Sequence, residues 1–108
     1  LAGGDGAGAY AAASELPRIE LADALALTLL LADQRELFER LSVRWLGRFA
    51  LEVPDVRQRH LHLLLAAFGT VRPGDPSGAQ ALAALCSALG REDLVAALDE
   101  WLVRQPEA

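Results

Sequence analysis

Residues 34–52 read QRELFERLSVRWLGRFALE, and this stretch decides the fold. At ~100° per residue, Leu37, Leu41, Trp45 and Phe49 fall in one row, with Phe38 beside them. No sustained period of two, the mark of a half-buried strand, runs through it. The spacing predicts a helix over 34–52 with one strong apolar face. Asp33 and Glu36 stand three apart at its start, the arrangement of a capping box. Pro54 stops it, because the residue before a proline avoids helical dihedrals.

The same logic extends in both directions. Upstream, residues 19–32 read IELADALALTLLLA, and only Glu20, Asp23 and Thr28 are polar. A helix apolar nearly all round is buried on several sides, so this segment is expected to be the central helix. Pro17 suits its start. It falls well short of the ~20 apolar residues a membrane span needs. Downstream, Asp55 is the expected cap of a third helix over 56–68. Leu61, Leu64, Leu65 and Phe68 form its stripe, and Gly69 is its stop.

Residues 69–77, GTVRPGDPS, carry two prolines and two glycines and read as the longest loop. Ser77, with Gln80 three positions on, is the expected cap of a fourth helix over 78–89. Its apolar stripe is Leu82, Leu85, Cys86 and Leu89. Gly90 closes it. Glu92 and Asp93 then suit the first turn of a fifth helix over 92–104, where acids favour the helix dipole. Leu94, Val95, Leu98, Trp101 and Leu102 make its apolar face. So short a connection implies an antiparallel pair. The fold class is therefore all-α: a compact bundle of about five helices. Residues 16–105 form a single helical domain, and residues 1–15 read as a flexible Gly/Ala-rich N-terminal tail.

Composition narrows the function classes. The chain has 108 residues, 53% hydrophobic and 23% charged, with a net charge of −5. That length allows one domain. The acidic balance opposes bulk binding to nucleic acid or anionic membrane. A single cysteine removes any disulfide framework. All ten basic residues are arginine, with no lysine, asparagine or methionine. Leu and Ala make up about two-fifths of the chain. This usage fits a high-GC bacterial genome and a cytoplasmic protein, and the start at Leu1 that of a processed or truncated chain.

The residue constellations offer no chemistry. His60 and His62 are two apart, so a helix turns their rings to opposite sides, and they do not chelate one metal. Cys86 lies on an apolar stripe, where a thiol is inert. No G-x-S-x-G elbow accompanies the serines. The Gly-rich tail lacks the G-K-[ST] of a phosphate loop. Residues 83–102 have a helix-turn-helix outline, but the would-be recognition helix carries Glu92, Asp93, Asp99 and Glu100 where DNA asks for the opposite sign. No enzyme, cofactor or metal is expected.

What remains is a set of surface features on the second helix and near it. Arg40, Arg44 and Arg48 form a row at i, i+4 and i+8. Glu36 and Glu52 offer partners to Arg40 and Arg48, leaving Arg44 without a local acid. The ordinary account of such a row is a salt-bridged border. Gly47 sits mid-helix, where it costs about 1 kcal/mol relative to alanine. Close passage of another helix of the same chain explains it first, and a partner contact second. Trp45 and Trp101 are expected in the core. Leu46, Leu51, Leu63 and Val103 fall off the main apolar arcs, a surplus that suggests a second buried face. The function expected is a non-enzymatic protein–protein interaction or assembly module that self-associates, as a homodimer for example. Its partner-binding residues would be Arg40, Arg44, Arg48, Gly47, Leu46 and Leu63. The alternative is a small DNA-binding or regulatory module using the arginine face.

Overall fold

The computed structural model describes residues 19–54 and 56–105. Among the described residues five helices follow one another: α1 (Leu21–Leu30), α2 (Arg35–Glu52), α3 (Gln58–Gly69), α4 (Ser77–Ala88) and α5 (Glu92–Val103). The all-α reading holds, and the expected boundaries lie within two residues of those observed. The described residues contain no strand, only an isolated bridge between Arg72 and Asp75. The proposed tail, residues 1–15, lies outside the described residues, as does the cap expected of Asp55.

Each helix packs on its neighbour in sequence, and α5 returns to α1, so the five close into a ring. This corrects the expectation of a central α1. It is one member of the ring, resting on α2 and α5, with Leu21, Ala24, Leu25, Thr28 and Leu29 inward. Leu30 stays largely exposed.

The interior is aromatic and leucine-rich. Trp45 stacks on Phe49 with ring centroids 5.1 Å apart and meets Phe68 edge-on at 5.6 Å. The two tryptophans also satisfy their polar atoms. Trp45 Nε1 donates to the Leu21 carbonyl at 3.0 Å, and Trp101 Nε1 donates to the Leu29 carbonyl at 3.1 Å. One ring from α2 and one from α5 thus grip opposite ends of α1. Burial of the ring and a met N–H are both needed for a tryptophan to stabilise a core. The buried hydroxyls of Thr28 and Ser42 donate back to Ala24 and Phe38 carbonyls in their own helices. Among the described residues no buried side-chain polar atom is left unpaired.

The helix ends use different residues from those expected. Asp33 forms no cap: Gln34 occupies the N-cap of α2 without a side-chain bond. At α3, the Arg57 N–H donates to His60 Nδ1 at 3.1 Å. At α4, Asp75 rather than Ser77 supplies the acceptor. Its Oδ1 takes the Ser77 N–H at 3.0 Å and the Ser77 hydroxyl at 2.8 Å, which holds the Asp75 carboxyl below its usual range. Gly90 ends α4 with φ +77°. The Gly90 N–H donates to Ser87 and the Arg91 N–H to Cys86, the Schellman pattern.

The C-terminus of α3 is held by two arginines. Arg35 donates to the carbonyls of Val71 and Gly69 while its guanidinium lies 5.2 Å from the Phe38 ring centroid. Arg72 donates to the same two carbonyls. Cations there complement the negative end of the helix dipole.

Candidate functional site

The outward side of α2 is built by helical periodicity. Its buried residues are Phe38, Leu41, Ser42, Trp45, Leu46 and Phe49. At ~100° per residue the opposite arc holds Glu36, Arg40, Val43, Arg44, Gly47 and Leu51. All six are exposed. Val43 and Leu51 are 58% and 89% exposed, and together on one arc they form a small apolar patch. They flank Gly47 at one-turn intervals.

Two of the expected partner-binding residues change meaning. Leu46 is 7% exposed and belongs to the core. The buried arc of α2 is rotated toward the side where α3 lies, as the shared groove of Ser42 and Val43 with Leu65 and Phe68 shows. A row drawn only through Leu37, Leu41 and Trp45 misses that rotation. Gly47 is not an intramolecular crossing, because a β-carbon there would meet nothing within 4 Å. The close approach is at Gly78 instead. A β-carbon on Gly78 would sit 2.6 Å from the Thr70 carbonyl carbon and the Val71 nitrogen.

The arginine row divides. Arg48 is half-buried and pairs with Glu52. Arg40 and Arg44 are exposed, and no hydrogen bond or ion pair holds either among the described residues. Leu63 is 52% exposed on α3, but it stands two residues from Leu65. It therefore points away from the flank that faces α2. The structure thus gathers Arg40, Arg44 and Gly47 on one face, adds Val43 and Leu51, and leaves Leu46, Arg48 and Leu63 elsewhere. Leu51 and Val103 are exposed as the sequence suggested; Val43, Leu65 and Leu30 were not singled out. The i, i+4, i+8 spacing of Val43, Gly47 and Leu51 was the available signal for the first. Leu65, placed on the buried stripe of its helix, instead rims the groove between α2 and α3.

That groove has a volume of about 310 Å³ and a floor of Phe38 and Phe68. Arg35 and Glu39 stand at its edge, with Arg35 engaged by the α3 carbonyls. A second, polar cleft brings the Arg48–Glu52 pair beside a bidentate Arg91–Asp93 pair, 3.0 and 2.9 Å. The Arg91 guanidinium holds the Asp93 carboxyl low, and Asp93 in turn raises Arg91. Groups locked in this way are poor proton donors or acceptors near neutral pH.

Cys86 is buried, and burial pushes its thiol up to about 11. Such a thiol is neither nucleophile nor metal ligand at neutral pH. No group of three His, Cys, Asp or Glu side chains among the described residues is arranged to hold a metal. No described helix is long and apolar enough to cross a membrane. No protein-family model, curated protein or solved structure matches the chain.

Proposed function

We propose that this domain is a non-enzymatic helical protein–protein interaction module that self-associates through the outward face of α2. One observation carries this: Val43 and Leu51 stand exposed around an uncrowded Gly47, beside Arg40 and Arg44, which are unpaired among the described residues. An apolar centre with arginine at its edge is the composition of an interface core and rim. A glycine in an exposed helix interior costs stability, and a second backbone approaching there offsets that cost.

Phosphate recognition by the same face has less support. Arg48 is engaged by Glu52, and Glu36 and Glu39 lie beside the two remaining cations. Light scattering across a concentration series tests the reading. The weight-average mass is expected to rise with concentration, and Arg44→Glu to reverse the rise. A wild-type chain that stays monomeric when concentrated overturns it.

A further inference from the structure

The outward face of α5 is the electrostatic complement of the α2 face. Leu94, Leu98 and Trp101 are its buried arc. The opposite arc carries Glu92, Ala96, Asp99, Glu100 and Val103, all exposed, with Val103 at 85%. Asp99 and Glu100 make no ion pair among the described residues, and the exposed Arg104 follows Glu100 by four. Both faces share one plan: a small residue at the centre, an exposed apolar residue one or two turns away, and charges of one dominant sign beside them. The small residues are Gly47 and Ala96. The signs are opposite.

Resting on the self-association reading above, we infer that the α2 face of one copy docks on the α5 face of a second copy, head to tail. Two α2 faces crossing antiparallel at Gly47 would set Arg44 opposite Ala50 and Arg40 opposite Pro54, with no acid facing either, whereas the α5 face supplies Asp99 and Glu100. Within one copy α2 and α5 meet at the polar cleft through Arg48, Glu52, Arg91 and Asp93, none of which belongs to either outward face. With the helices antiparallel and Gly47 against Ala96, Arg44 falls opposite Asp99 of the second copy. Arg40 and Val43 then lie within a turn of Glu100 and Val103, and Leu51 reaches the first turn of α5. Antiparallel packing also opposes the helix dipoles favourably. A contact in which each copy offers a different face to each of its neighbours does not close at two copies. It produces a ring or an open filament.

Sedimentation velocity of the full chain, at several concentrations and at low and high salt, tests this. The expected result is association that continues beyond a dimer and weakens as salt screens the exposed pairs. Arg44→Glu and Asp99→Arg are each expected to weaken it at least about tenfold. The double variant carrying both changes on one chain restores the attraction with its sign reversed. Both positions are exposed, and circular dichroism verifies that each variant is folded. If Arg44→Glu abolishes association while Asp99→Arg leaves it intact, α5 is not the partner, and the α2 reading survives alone. Association that stops at a dimer overturns the head-to-tail arrangement. If neither substitution changes it, or the wild type is always monomeric, the inference and the reading beneath it fail together.

Discussion

Two glycine-to-alanine substitutions should move stability in opposite directions. Gly78 lies in the first turn of α4, where the helix passes over the 70–71 turn. A methyl group there would stand 2.6 Å from the Thr70 carbonyl carbon and Val71 nitrogen, and 2.7 Å from the Thr70 oxygen. Comfortable contacts between such atoms lie at about 3.5–4.0 Å, so the two backbone segments would have to part by roughly 1 Å. Neither is the free end of a side chain. Val71 is fully buried, and its carbonyl holds Arg35, so the displacement reaches the core and the α3 terminus. Overpacking of this kind costs about 1–3 kcal/mol. Removing a glycine from a helix returns up to about 1 kcal/mol. Because the clashing atoms are backbone, the overpacking cost sits in the upper part of its range, about 2–3 kcal/mol, and the net is a destabilisation of roughly 1–2 kcal/mol, a fall in Tm of about 4–15 °C for a domain of this size. Gly47→Ala has only the favourable part, because its β-carbon meets nothing within 4 Å. It should raise Tm by a few degrees, up to about 8 °C. Thermal and urea unfolding followed at 222 nm, at low concentration so that association contributes little, reads both. A Gly78→Ala domain as stable as the wild type, or a destabilised Gly47→Ala, would refute the reasoning.

Trp101→Phe removes the bond to the Leu29 carbonyl and part of a buried ring, and should cost about 1–3 kcal/mol in urea unfolding; an unchanged midpoint would detach α5 from α1. Arg35→Ala strips two carbonyl contacts and the Phe38 stacking from the α3 terminus, with an expected loss of about 1–2 kcal/mol. The alkaline limb of stability should report on Cys86. Its folded thiol ionises near 11 while the unfolded one ionises near 8.5, so the stabilisation is fully present below pH ~8.5 and is lost as pH rises toward 11. With no lysine and one tyrosine in the sequence, few other groups titrate there. Cys86→Ala should flatten the slope between pH ~9 and 11, and a slope that persists would assign it elsewhere. Native Cys86 should also resist thiol reagents at neutral pH except at the rate of unfolding, measured by timed alkylation.

Most of the fold was legible because helical periodicity is local. The rows through Trp45 and Phe49 in α2, Leu64 and Phe68 in α3, and Leu94, Leu98 and Trp101 in α5 all point inward. Pro54 and Gly90 ended helices as their backbone chemistry requires. Caps were less legible, since Asp33, Asp75 and Ser77 are all competent acceptors and the loop path selects among them. The candidate site was half legible. Arg44 stood out for want of a local acid, and it is indeed exposed. Leu46 was misassigned because the width and direction of a buried arc depend on which neighbours pack on it. Gly47 and Gly78 look alike in a sequence. Only the path of residues 70–71 over α4 tells them apart.

The sequence by itself determined the helices of the described residues, their approximate ends and most of the apolar side of each. These follow from φ/ψ preferences and side-chain spacing within about one turn. Tertiary structure decided the rest. It closed the helices into a ring instead of wrapping four around α1, because Trp45 and Trp101 engage opposite ends of α1 from different helices. It also decided which apolar residues were left over. Val43, Leu51 and Val103 remain in water because each helix packs mainly on two neighbours, and a helix so packed buries one side of its circumference.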